Sequence, residues 1–173
     1  VTMSNTVFSD NAVGDTGGAF YLRDSTVTLA GGVILSGNTG TTGAGVYMTE
    51  GSHLEDQGSV FQSNIASDGG GAIYAESSSL SLVESQFTSN EAVTGGAIWA
   101  YSSDTVLIDG ATFSDNTSSY AGGALSVHFS SDVTVSNSTF DTNESTRGGA
   151  VDLTSYAGVT VSDSSFVAND GLW

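Results

Sequence analysis

Glu50, His53, Glu55 and Asp56 fall within one short stretch, and three carboxylates with an imidazole at that spacing can share a divalent cation such as Ca²⁺. The remaining ionisable residues are far less evenly mixed. The chain carries 19 acidic side chains against two arginines, Arg23 and Arg147, and has no lysine or cysteine. Absence of cysteine excludes thiolate nucleophiles, disulfides and cysteine metal sites. Enzymes that cleave polysaccharides combine clustered carboxylates with Arg or Lys that stabilise developing charge. Here the two arginines stand far apart in the sequence, and Asp24, Glu76, Asp104 and Asp152 are scattered. The expectation is therefore a protein with no catalytic residues and no cofactor beyond that candidate Ca²⁺ position.

The second set of chemically informative residues is aromatic. Tyr21, Tyr47, Tyr74 and Trp99 recur at steps of 25 to 27 residues, with Tyr101 close behind. Aromatic side chains bring a large contact area with a polar handle, which suits them to binding a protein or glycan surface. Whether they share a face depends on what repeats with them.

A large apolar residue is followed three positions later by Asn in Phe8/Asn11, Leu35/Asn38, Phe61/Asn64, Phe87/Asn90, Phe113/Asn116, Phe140/Asn143 and Phe166/Asn169, at steps of 26 or 27 residues. A Gly-rich tetrapeptide keeps the same clock: Gly17-Gly18-Ala19-Phe20, Gly43-Ala44-Gly45-Val46, Gly70-Gly71-Ala72-Ile73, Gly95-Gly96-Ala97-Ile98, Gly122-Gly123-Ala124-Leu125 and Gly148-Gly149-Ala150-Val151. β-Branched runs such as Val133-Thr134-Val135 precede each Phe by seven residues. A fixed period in this range marks a repeat architecture whose units bury apolar surface only against their neighbours. The apolar runs are short and alternate with period two, and the 23 glycines, the Ser/Thr/Asn/Asp-rich remainder and the missing proline argue against helix.

These features predict an all-β fold, a right-handed parallel β-helix of about 26 residues per coil, with three short strands per coil and six to seven coils. Residues 1–173 then form a single repeat domain without evident caps, a fragment or one module of a longer chain. Phe20, Val46, Ile73, Ile98, Leu125 and Val151 should make one inward column, with Leu22, Met48, Ala75, Ala100, Val127 and Leu153 two residues on as another. The motif Phe residues should stack in a third inward column. The Asn residues should ladder at a corner, bonding turn backbone and the next amide. Asn5, Gly32, Gly58, Glu84, Gly110, Asn137 and Asp163 read as a second turn column that tolerates left-handed backbone. Between the two inward columns lies an outward one, Tyr21, Tyr47, Tyr74, Trp99, Ser126 and Asp152. The alanines of the glycine motif are expected beside it, leaving that face flat. His128 reads as an ordinary surface residue.

An acidic, lysine-free surface excludes partners that need cationic contacts, nucleic acid and anionic lipid among them. No apolar run is long enough to span a membrane as a helix, so no direct membrane insertion by this segment is expected. The alternating Gly-Gly-Ala-Ile and Phe-x-x-Asn motifs resemble the repeats of chlamydial polymorphic membrane proteins over essentially the whole chain, departing at Leu35 and at Gly43-Ala44-Gly45-Val46. That resemblance implies the passenger of an autotransporter, displayed on the cell surface and acting in adhesion. The expected location is extracellular or on the cell surface. The expected function is a non-enzymatic adhesin or stalk, in contact with a protein or glycan through the aromatic stripe. One alternative is a self-assembling filament or matrix subunit, joined end to end or side by side. Another is a polysaccharide-binding or polysaccharide-degrading β-helix.

Overall fold

A computed structural model describes residues 1–130, 132–154 and 158–171, and among these no helix occurs. Strands stack into four sheets, every pairing parallel and joining a strand to its equivalent one coil later. One coil shows the plan: Ser79–Val83 in the first sheet, Gln86–Thr88 in the second, Glu91–Thr94 in the third and Ile98–Tyr101 in the fourth. The register is in step with the sequence period, with Phe87 opposite Phe113, and Tyr74 opposite both Tyr47 and Trp99. The right-handed β-helix of about 26 residues per coil is thus the fold, with four strands per coil instead of three.

The unforeseen strand is the third. Its members, such as Thr117–Ala121 and Glu144–Arg147, lack an alternating apolar pattern, and their register shifts midway at a bulge. Their inward side chains are small or polar, such as Ala92 and Ser118, and the bulge interrupts the alternation, so apolar periodicity could not announce them.

Four strands need four corners, and each corner among the described residues carries a left-handed residue. The column foreseen as left-handed is so throughout, from Asn5 at φ 48° and Glu84 at 54° to Gly58 at 78°. The corner before the Asn uses Asp10, Gly37, Ser63, Ser89, Asp115, Thr142 and Ala168, all at positive φ. Side chains are accepted there because the strained backbone is bonded to the next coil, as in the Ser63 amide donating to the Thr88 carbonyl at 3.0 Å. The first glycine of each glycine motif is different. At Gly95, φ 60°, a β-carbon would lie 2.2 Å from the Ile98 carbonyl oxygen, so only glycine fits.

Inside the coil the expected columns form. Val46, Ile73, Ile98 and Leu125 are fully buried, as are Met48, Ala75, Ala100 and Val127, whereas Leu153 is exposed. Rings of Phe61, Phe87, Phe113, Phe140 and Phe166 stack at centroid separations of 4.6 to 4.7 Å, nearly parallel. Phe8 lies outside that stack, edge-on to Phe20, because Leu35 occupies the next place in the column. The Asn ladder runs from Asn11 to Asn169 without a break. Each Nδ2 from Asn38 to Asn143 gives one hydrogen to the next Asn Oδ1 and the other to a carbonyl of the second sheet one coil back, as Asn64 does to Leu35. Each Oδ1 also accepts the backbone amide of the preceding Asn. All side-chain capacity of a buried amide is therefore used.

The alanines of the glycine motif do not flank the aromatic stripe. Ala72, Ala97 and Ala124 are fully buried and belong to the core, since the corner turns them inward before the strand begins.

Candidate functional site

The outer face of the fourth sheet brings the aromatic residues together. Tyr21 and Tyr47 stack at 5.2 Å, Tyr47 and Tyr74 at 5.2 Å, and Trp99 meets Tyr74 edge-on at 4.9 Å. This stacking consumes the ring faces. Tyr74, clamped between two neighbours, is only 8% exposed, while Tyr21 at the end of the row is 54% exposed. The flat, open platform expected from the sequence is accordingly replaced by a row presenting ring edges. Burial pushes the Tyr47 phenol up to about 12, helped by its hydrogen bond to Glu76 Oε2 at 3.1 Å, and burial raises Tyr74 as well. Both phenols stay protonated at neutral pH.

Trp99 leans sideways across the corner onto the third sheet. A β-carbon on Gly69 would lie 1.9 Å from Trp99 Cε3, which explains a glycine that the repeat motif does not require. The indole N–H is buried and finds no partner among the described residues. The stripe continues past Trp99 through Tyr101, 6.1 Å away, to Phe129, whose ring meets Tyr101 edge-on at 5.5 Å. Phe129 escaped the sequence reading because it sits at a corner, not on a strand. A phenylalanine at φ 56° is an uncommon conformation, and half of its surface is exposed.

Beyond the aromatic row the same face turns polar. Arg147 grips Asp152 with two hydrogen bonds of 2.9 and 2.8 Å and covers the Tyr120 ring at 4.9 Å. His128 is no isolated surface residue: its Nε2 lies 3.1 Å from Ser126 Oγ and 3.2 Å from Asp152 Oδ2. A serine, a histidine and an aspartate in contact invite a nucleophile reading. The geometry refuses it, because a relay needs the acid and the hydroxyl on opposite ring nitrogens and here both address Nε2.

The stretch from Glu50 to Asp56 does not converge on a cation. Glu50 turns at a left-handed corner to pair with Arg23 at 2.8 Å. His53 and Glu55 project outward, whereas strand alternation sends Asp56 into the core column of Leu29 and Leu82. Among the described residues no three His, Asp or Glu side chains gather closely enough to hold a metal.

Asp56 is a different kind of feature, a fully buried carboxyl. It accepts hydrogen bonds from Ser85 Oγ and, at 3.3 Å, from the Ser59 amide, and Oδ1 has no partner among the described residues. Desolvation raises its pKa against the opposing pull of the Ser59 and Ser85 bonds. A carboxyl whose pKa is higher folded than unfolded favours folding below its unfolded pKa of about 3.9 and loses that contribution as pH rises through the folded value. Asp56→Asn is therefore expected to have a higher urea midpoint than the parent at pH above neutrality, with the difference shrinking toward about pH 4. Urea titrations of both proteins at a series of pH values measure it.

A family model described as a right handed beta helix region matches residues 1–173, the whole chain. The chain belongs to that family. No curated protein and no solved structure matches it. Right-handed β-helices include enzymes such as pectate lyases as well as non-enzymatic proteins, and the architecture suits surface modules, structural modules and polysaccharide-active proteins. Membership therefore leaves activity to be argued from this chain's own face.

Proposed function

We propose that this β-helix is a non-enzymatic rod displayed at the cell surface that makes contact with a protein partner along its fourth sheet. The observation that carries the reading is the aromatic row, whose buried middle, Tyr74, is held between exposed ends at Tyr21 and Phe129. Ring edges and phenol hydroxyls suit a protein surface better than ring stacking on sugar, since the faces are already covered by one another. The repeats' resemblance to those of polymorphic membrane proteins supports surface display, and the shared-nitrogen geometry at His128 argues against a serine nucleophile there.

The test uses Tyr21→Ser, Tyr101→Ser and Phe129→Ser together, three changes outside the core. Beads coated with the parent rod are expected to adhere to intact source cells, and the triple variant to adhere at least about tenfold less. Unchanged adhesion by a variant with a normal urea midpoint would overturn the reading. Electron microscopy of the isolated rods should show discrete particles, and long fibres would favour the self-assembling alternative.

A further inference from the structure

A second face, one corner away from the aromatic row, carries a groove. The third sheet bends where its register shifts, between Ala66 and Gly69, Ala92 and Thr94, and Ser118 and Ala121. The bend leaves a trough of about 500 Å³ that runs along the rod axis over four consecutive coils. Its floor is small: Ala66, Ala92, Ser118 and Ser145 are all nearly fully buried. One wall reads Ile65, Glu91, Thr117, Glu144, and serines and threonines with Val93 make the other. No cationic side chain lines it.

Three properties specify the occupant. The trough repeats with the coil, about 4.8 Å per step, close to the length of one pyranose unit in an extended glycan and well beyond the roughly 3.3 Å rise of an extended peptide. Its strands are hydrogen-bonded on both sides, so it offers no free sheet edge to a peptide backbone, whereas hydroxyls and carboxylates can bond sugar hydroxyls. The two carboxylates stand on alternate coils, with Thr117 between them. A β-1,4-linked chain turns each unit over relative to the last and so presents the same substituent to one side at every second unit. Glu91 and Glu144, two coil rises or about 9.6 Å apart, match that alternation. The wall charge favours a cationic recurring substituent over a neutral hydroxyl, because an ammonium adds ion pairing to the hydrogen bond.

We infer that the third-sheet groove binds a β-1,4-linked amino-sugar chain lengthwise, with Glu91 and Glu144 meeting ammonium groups on alternate units. The site is independent of the aromatic row.

The probe is a glucosamine hexamer titrated calorimetrically into the whole chain at low salt and slightly acidic pH. Saturable binding is expected, at least tenfold weaker for Glu91→Gln/Glu144→Gln and unchanged for Tyr21→Ser/Tyr101→Ser/Phe129→Ser. Glu84→Gln/Asp104→Asn removes the same charge away from the groove and should leave binding intact. An acidic galacturonate oligomer should give no heat. Absence of glucosamine binding overturns the inference, as does equal weakening by the off-groove pair, which would mean attraction to net charge alone. Oligolysine binding as tightly at the same two glutamates would also overturn it, since the groove would then be selecting charge and not a glycan.

Discussion

Asn90→Ala is expected to lower the unfolding free energy by about 4 kcal/mol or more, among the largest effects of any single substitution in this chain. Asn90 Oδ1 accepts the Asn64 amide at 3.0 Å and Asn64 Nδ2 at 2.9 Å, while its own Nδ2 donates to Phe61 O and Asn116 Oδ1 at 3.0 Å each. Alanine removes four buried hydrogen bonds: the Asn64 amide loses its acceptor, while Asn64 Nδ2 keeps Leu35 O and Asn116 Oδ1 keeps the residue 90 amide. Each lost bond is worth about 1 kcal/mol, more at the orphaned Asn64 amide, and the ladder is too tightly closed for water to replace what is lost. Position in the rod matters as well. Stability in a stacked repeat is a sum over neighbouring coils, so a break in the middle coil weakens coupling between two halves. The urea transition of the variant is expected to be broader as well as earlier. Asn11→Ala, at an exposed end of the ladder, should cost far less. Equal midpoints for Asn90→Ala and the parent would show that the ladder is not a source of stability.

Phe113→Ala is expected to cost about 3–5 kcal/mol. The ring sits between Phe87 at 4.7 Å and Phe140 at 4.6 Å with no accessible surface, so its loss opens a cavity and exposes two ring faces that had been in contact. Two stacked pairs also disappear, each worth about 0.5–1.5 kcal/mol beyond burial. The column itself shows the milder substitution. Leu35 fills the equivalent place between Phe8 and Phe61 and is fully buried. Phe113→Leu should therefore cost about 1–1.5 kcal/mol, roughly a third of the alanine change. Guanidinium unfolding of the two variants gives the ratio, and equal losses would mean that stacking, not filling, holds the column.

Both expectations rest on columns that were readable before any coordinates. Asn90 and Phe113 recur with period 26 or 27, and in a solenoid equal spacing becomes vertical alignment, so one-dimensional periodicity carries three-dimensional contact. The left-handed corner from Asn5 to Asp163 was legible for the same reason, even at Glu84, whose residue type argues against it. What happens within one coil was less readable. Strand alternation sends Asp56 into the core column, but its residue type could not say whether a charge there would fold in or bulge out. The third strand carries no apolar signal because its inward positions, Ala66, Ala92, Ser118 and Ser145, are small or polar.

The sequence by itself determined the repeat, the register, the stacked phenylalanines, the amide ladder and the line that joins Tyr21 to Trp99, because each depends only on equal spacing along the axis. The tertiary structure alone decided what lies across that axis. It showed that the tyrosines cover one another's faces, that Trp99 folds over Gly69, that Phe129 extends the row from a corner, and that Arg147 and His128 close around Asp152. It also bent the third sheet into a groove. These contacts depend on how much each corner turns and which way side chains lean between neighbouring strands, and lateral geometry of that kind leaves no period in the sequence.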